Sequence, residues 1–139
     1  MYQSDPDLLK LARRLVAIES SREPPGGMVG AARACEKLRR PLVKLVGADG
    51  FRSLLSRALA MAKAEAPALA SIRVGALGSL ESIDGGEPAL GVEAGAVLLA
   101  HLIGLLAVFI GDRLTFPIVA EAWPDVPLDR PGREDEVAS

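Results

Sequence analysis

The sequence predicts an all-α or nearly all-α fold, a compact bundle of four to five helices around a central apolar helix. Three observations support this. Half of the residues are apolar and only 4% are aromatic, so the core must be aliphatic, and Ala- and Leu-rich chains favour helix over sheet. Several segments repeat apolar residues at intervals of three and four positions. One segment, 94–110, carries no charge at all.

The predicted helical domain covers residues 1–123. The remaining segment, 124–139, is rich in Pro and in charged residues and has almost no large apolar side chains. Such a composition buries too little surface to offset the entropy of ordering, so we expect a disordered tail.

The first helix is predicted from Pro6 to about Ile18. Ser4 or Asp5 can cap its free amides, and proline is tolerated in a first turn. Its apolar residues share one face: Leu8, Leu11, Ala12 and Leu15. The breaker-rich stretch SSREPPGG, residues 20–27, then ends it.

The second helix is predicted from Met28 to Val46. Pro41 lies inside it, and we expect a kink or a split near Arg40 because proline removes one backbone hydrogen bond. The GADG sequence at 47–50 breaks the chain again. A third helix follows, and its buried stripe is Phe51, Leu54, Leu55, Ala58, Leu59 and Ala62.

The segment 71–87 has a different pattern. Ile72 and Val74 alternate with polar residues, and the GALGS sequence that follows can turn. Residues 80–83 can run back beside the first stretch. The segment is therefore predicted to be a short β-hairpin or an irregular loop.

The central helix is predicted from Val92 to at least Ile110, with helical phase continuing to Trp123 and a bend or division at Pro117. The uncharged run is 17 residues long, at the lower edge of the length that spans a bilayer, where about 20 residues are normal. The neighbouring helices are amphipathic and need an apolar partner, so a buried core helix is the favoured interpretation.

Small residues recur along the same helix. A stripe of this kind lets another backbone come close. We expect a helix of the same chain to occupy it, and the alternative is a helix of a second copy. The stripe consists of Ala96, Ala100, Gly104, Ala107 and Gly111.

Residues that carry chemistry are scarce. The chain has one cysteine, Cys35, and one histidine, His101. A single cysteine forms no intramolecular disulfide, which fits a reducing compartment, and the acidic start of the chain does not resemble a signal peptide. The expected location is therefore the cytoplasm. A zinc site needs about four ligands, and neither a P-loop nor a GxGxxG motif occurs. We therefore expect no metal, no cofactor and no catalytic residues.

His101 is expected to be a core histidine with one hydrogen-bond partner. Its alternative role is to bind a ligand or to sense protons in a helical pocket, because histidine titrates near neutral pH.

Charge is distributed unevenly. Residues 1–63 carry 12 basic and 6 acidic side chains, and residues 64–139 carry 4 and 12. We expect this asymmetry to be neutralised within the fold or between copies. A basic ridge on the second helix is expected to be a solvated face that could also meet an acidic partner. It consists of Arg33, Lys37, Arg40 and Lys44.

The sequence thus predicts a non-catalytic protein-interaction module, adaptor or regulatory, that associates with itself or with a protein partner. The basic ridge, Phe116 and Trp123 are its candidate partner surface. Phe109, Phe116 and Trp123 form an aromatic stripe with a spacing of seven positions, which is usually core and could equally face a partner. Nucleic acid is not expected, because Ser53 and Ser56 stand where a helix-turn-helix needs apolar residues. The alternatives are a helical ligand-binding or sensing domain built around His101 and a single-span membrane protein through 94–110.

Overall fold

A computed structural model describes residues 6–20, 27–75, 80–82 and 92–124. Within these ranges the predicted fold is confirmed, with four helices and one small antiparallel hairpin. The elements are α1 (Pro6–Ser20), α2 (Gly27–Glu65), a 3₁₀ turn (Pro67–Ser71), β1 (Ile72–Val74), β2 (Leu80–Ser82), α3 (Val92–Ile110) and α4 (Asp112–Ala122). The predicted caps at Ser4 and Asp5 and the predicted tail from 125 onward lie outside the described residues.

Helix α3 is the centre of the bundle. Its residues from Ala94 to Ile103 are all buried, and α1 and α2 both pack against it. α1 runs antiparallel to α3, because Leu8 lies beside Gly104 whereas Arg13 reaches Glu93 near the start of α3. The Arg13 guanidinium donates two hydrogen bonds of 2.8 and 2.9 Å to the Glu93 carboxylate, and this hydrogen bonding holds the pKa of Glu93 below its usual value.

The predicted second and third helices form one long element with a break at Gly47. This residue has φ 82° and ψ 163°, a backbone region that is essentially restricted to glycine. Pro41 lies inside the helix, and helical dihedral angles continue through it. Of the two outcomes expected near Arg40, the split does not occur, since loss of one hydrogen bond at Pro41 is tolerated. The break predicted from the GADG sequence is confirmed at Gly47.

Further along the chain, a glycine again interrupts the helical region and a proline again does not. Gly111, with φ 91°, separates α3 from α4, and its carbonyl accepts the first hydrogen bonds of α4, from the amides of Leu114 and Thr115. Pro117 lies inside α4 without dividing it. The predicted division at Pro117 is thus replaced by a break six residues earlier.

The hairpin is confirmed for the described part of 71–87. β1 and β2 pair antiparallel, with Ile72 opposite Ser82, Arg73 opposite Glu81 and Val74 opposite Leu80. Ile72 and Leu80 are buried in the core, so the hairpin is anchored on the bundle by its apolar face.

Candidate functional site

Exposed apolar side chains are concentrated at the junction of α3 and α4. Val108 is 86% exposed, Phe109 64% and Leu114 51%. The three lie on the two sides of the Gly111 turn, and we call them the apolar corner. In the described chain the one other large hydrophobic residue that is exposed is Leu45 of α2, also at 51%.

The antiparallel packing explains why the corner is uncovered. The described part of α1 begins at Pro6 and brings Leu8 beside Gly104. The last turn of α3 therefore extends beyond the described part of α1. Burial along α3 falls accordingly, because Leu106 is its last buried residue.

Two charges adjoin the corner. Asp112 and Arg113 are consecutive, exposed residues in the first turn of α4. Asp112 suits the positive end of the α4 dipole. Neither side chain makes an ion pair with any residue that the structure describes. The corner therefore presents apolar surface beside one free carboxylate and one free guanidinium.

The turn at Gly111 also changes the roles of the three aromatic residues spaced seven positions apart. Phe109 precedes the break and faces outward, whereas Phe116 and Trp123 follow it and are 4% and 2% exposed. A continuous helix would have kept all three on one face. Phe116 and Trp123 are thus core residues of this chain, which is the first of the two expected alternatives, and they are not part of an exposed partner surface.

The basic ridge is only partly a free face. Arg40 and Lys44 are exposed, and Arg33 is half-buried. Lys37 is held within the fold, since its Nζ lies 2.7 Å from Oε2 of Glu19 and 5.3 Å from the centre of the Trp123 ring.

Glu19 is a buried carboxylate, 1% exposed, that the sequence analysis did not single out. Besides Lys37, it accepts a hydrogen bond of 2.9 Å from Nε1 of Trp123. Its position on the predicted first helix could have revealed that it is buried, because Glu19 follows the buried Leu15 by one helical turn. A carboxylate on the apolar face of a helix needs a partner cation. Here it joins α1, α2 and the end of α4.

His101 is buried on α3, and its Nε2 lies 2.9 Å from Oε1 of Glu65, at the end of α2. This contact supplies the single hydrogen-bond partner that a core histidine requires. It links α3 to the end of α2. A ligand-binding or sensing role for His101 stays a prediction. No group of three or more His, Cys, Asp or Glu side chains that could hold a metal occurs among the described residues.

Cys35 lies in the core, and burial, aided by the neighbouring Glu36 charge, raises the pKa of its thiol to about 12. The thiol is therefore protonated and unreactive at neutral pH.

The buried part of the small-residue stripe packs within the same chain. Ala96 and Ala100 are 0% and 2% exposed. A Cβ built on Gly104 would meet Leu8 Cδ1 of α1 at 3.5 Å, an ordinary contact. Ala107 is half-buried, and Gly111 belongs to the turn. Helix α1 thus lies beside the stripe at Gly104.

Within the described residues, Val92–Ile110 is one helix that is long and apolar enough to cross a membrane. The core helix of a soluble protein meets the same criteria of length and composition.

Comparison of the chain with protein-family models, with curated proteins and with solved structures gave no match.

Proposed function

We propose that this protein is a non-catalytic helical interaction module, located in the cytoplasm, that self-associates through the apolar corner of Val108, Phe109 and Leu114. The observation that carries the proposal is the clustering of these side chains. Three of the four large exposed hydrophobic residues in the described chain fall within seven consecutive positions. Contiguous exposed apolar surface marks interaction sites, and the short sequence separation of these side chains supports such a surface here.

The burial of the one cysteine and the one histidine of the chain supports the non-catalytic part of the proposal. The Cys35 thiol is protonated in the core, and His101 is engaged by Glu65. Both side chains are buried within the fold. The remaining distinctive surface is apolar and therefore suited to binding.

The packing of α3 supports a core helix over a membrane span. Its residues from Ala94 to Ile103 are covered by the chain's own helices. A lone span would present its apolar side chains to lipid. The uncovered apolar part is confined to the last turn, which is too short to cross a bilayer.

The chain offers a matched pair of variants to test the proposal. Leu114 and Leu45 are both leucines in helices, and both are 51% exposed. Light scattering coupled to size exclusion, over a range of concentrations with and without detergent, measures the mass of each form. We expect a soluble wild type that dimerises as concentration rises. Leu114→Ser should weaken the dimer about tenfold, which corresponds to the roughly 1.4 kcal/mol expected for part of a buried leucine.

Leu45→Ser should leave the dimer unchanged. A wild type that is monomeric at every concentration, or one that stays in solution only with detergent, would contradict the proposal. Equal weakening by both substitutions would show that the corner is not the contact surface.

A further inference from the structure

The charges beside the apolar corner carry information about what covers it. Asp112 and Arg113 have opposite signs, are adjacent in the chain and are both exposed. Between Ala94 and Leu114 they are the only charged residues. This segment of the chain therefore offers a partner at the corner one negative and one positive group.

The presence of one negative and one positive group discriminates between classes of partner. An anionic membrane surface favours several Lys or Arg side chains around an apolar patch, and here a carboxylate stands beside the one arginine. A strongly acidic or strongly basic protein would be attracted by one of the two groups and repelled by the other. A second copy of the same corner supplies both an arginine and a carboxylate, together with an equal apolar surface.

A two-fold axis that passes between the two side chains matches these groups. In an isologous interface, if residue i of one copy contacts residue j of the other, then j also contacts i. With the axis between the two side chains, each carboxylate faces the guanidinium of the other copy. Two adjacent residues of opposite charge are thus self-complementary under two-fold symmetry.

We infer that the apolar corner is covered by a second copy of this chain across a two-fold axis, with Asp112 of each copy facing Arg113 of the other. This inference rests on the proposed self-association and adds its symmetry and its charge pairing.

Charge exchange tests the pairing. Asp112→Arg places two positive groups at the rim, and Arg113→Asp places two negative groups there. For each variant alone, the dissociation constant of the dimer should be larger than that of the wild type by about fivefold or more, because like charges then face each other. An equimolar mixture should form mainly the heterodimer, which native mass spectrometry resolves since the two chains differ in mass. The double variant, which exchanges the two residues, should recover dimerisation.

The preference for the heterodimer should shrink in high salt, because exposed charges are screened. Circular dichroism confirms that each variant is folded, and the double variant contains the same substitutions in compensated form. If the wild type dimerises but the mixture gives only the statistical share of heterodimer, the two-fold pairing is wrong and the proposed self-association stands. If the wild type does not dimerise, both are wrong.

Discussion

The Trp123 indole donates a hydrogen bond of 2.9 Å to the Glu19 carboxylate, across 104 positions of sequence. Lys37 Nζ approaches the same oxygen at 2.7 Å. The last residue of the α4 region is therefore tied to the end of α1 and to the first half of α2. This contact fixes the orientation of α4, and with it the direction in which the apolar corner faces.

Lys37→Met is expected to destabilise the fold by about 2–4 kcal/mol. The substitution removes the Lys37 cation that lies 2.7 Å from the buried Glu19 carboxylate, and loss of a charged partner costs more at a buried carboxylate than at an exposed one. Arg40→Met on the same helix is the control, and because Arg40 is exposed it should change the free energy of unfolding by less than about 0.5 kcal/mol. Urea denaturation measures both. Equal changes in the free energy of unfolding of the two variants would show that the contact of Lys37 with Glu19 adds nothing to stability.

The Cys35 thiol should resist alkylation in the native protein at pH 8 and react readily in denaturant. Its pKa is about 12 in the fold and 9.0 in an exposed thiol. Below pH 9 the thiol is neutral in both states. Between pH 9 and 12 only the unfolded chain ionises, so this group's contribution to stability falls as pH rises. Cys35→Ala has no thiol to ionise, so it should lack this contribution to the decrease in stability between pH 9 and 12. Rapid native labelling would contradict the assigned burial.

Gly111→Ala should cost about 1–3 kcal/mol, because φ 91° with ψ 154° is unfavourable for any residue with a Cβ. Nothing lies within 4 Å of the added atom, so the cost is conformational and not steric. Gly104→Ala should be neutral or stabilising by up to about 1 kcal/mol, since it has room beside Leu8 and raises helix propensity. Thermal melts of the two variants should therefore shift in opposite directions, or only that of Gly111→Ala should fall.

Thr115→Val is expected to be neutral or stabilising by about 1 kcal/mol. The Thr115 side chain is buried, and its hydroxyl has no hydrogen-bond partner among the described residues. An apolar isostere removes that unsatisfied group without changing the shape. Thr115→Ser keeps the hydroxyl and loses a methyl group, so it should be less stable than the wild type. A marked loss of stability in Thr115→Val would reveal a hydrogen bond at this site.

The fold was predictable from the sequence because the apolar periodicity of four segments is strong and the breakers between them are clear. The break at Gly47 was predicted from the GADG sequence, whereas the break at Gly111 was not. Pro41 and Pro117 were expected to kink, bend or divide their helices, and neither divides one. Proline removes one hydrogen bond, but its φ is compatible with a helix. A glycine with positive φ changes the direction of the chain, and which glycines adopt it depends on tertiary packing.

The candidate site was less predictable for the same reason. The turn at Gly111 determines that Phe109 is exposed and that Phe116 and Trp123 are buried. The sequence spacing alone placed all three in one stripe. Similarly, Lys37 belonged to the basic ridge by helical spacing, and only its contact with Glu19 shows that it is partly withdrawn from the surface.

Crosslinking through a single introduced cysteine tests the central claim most directly. Val108 is 86% exposed at the corner, Leu45 is 51% exposed on α2, and the native Cys35 is buried. With a short bismaleimide under native conditions, Val108→Cys should give covalent dimers whose yield rises with protein concentration. Leu45→Cys and the wild type should remain monomeric on a denaturing gel. Equal crosslinking of the Leu45 variant, or none of the Val108 variant, would contradict self-association through the apolar corner.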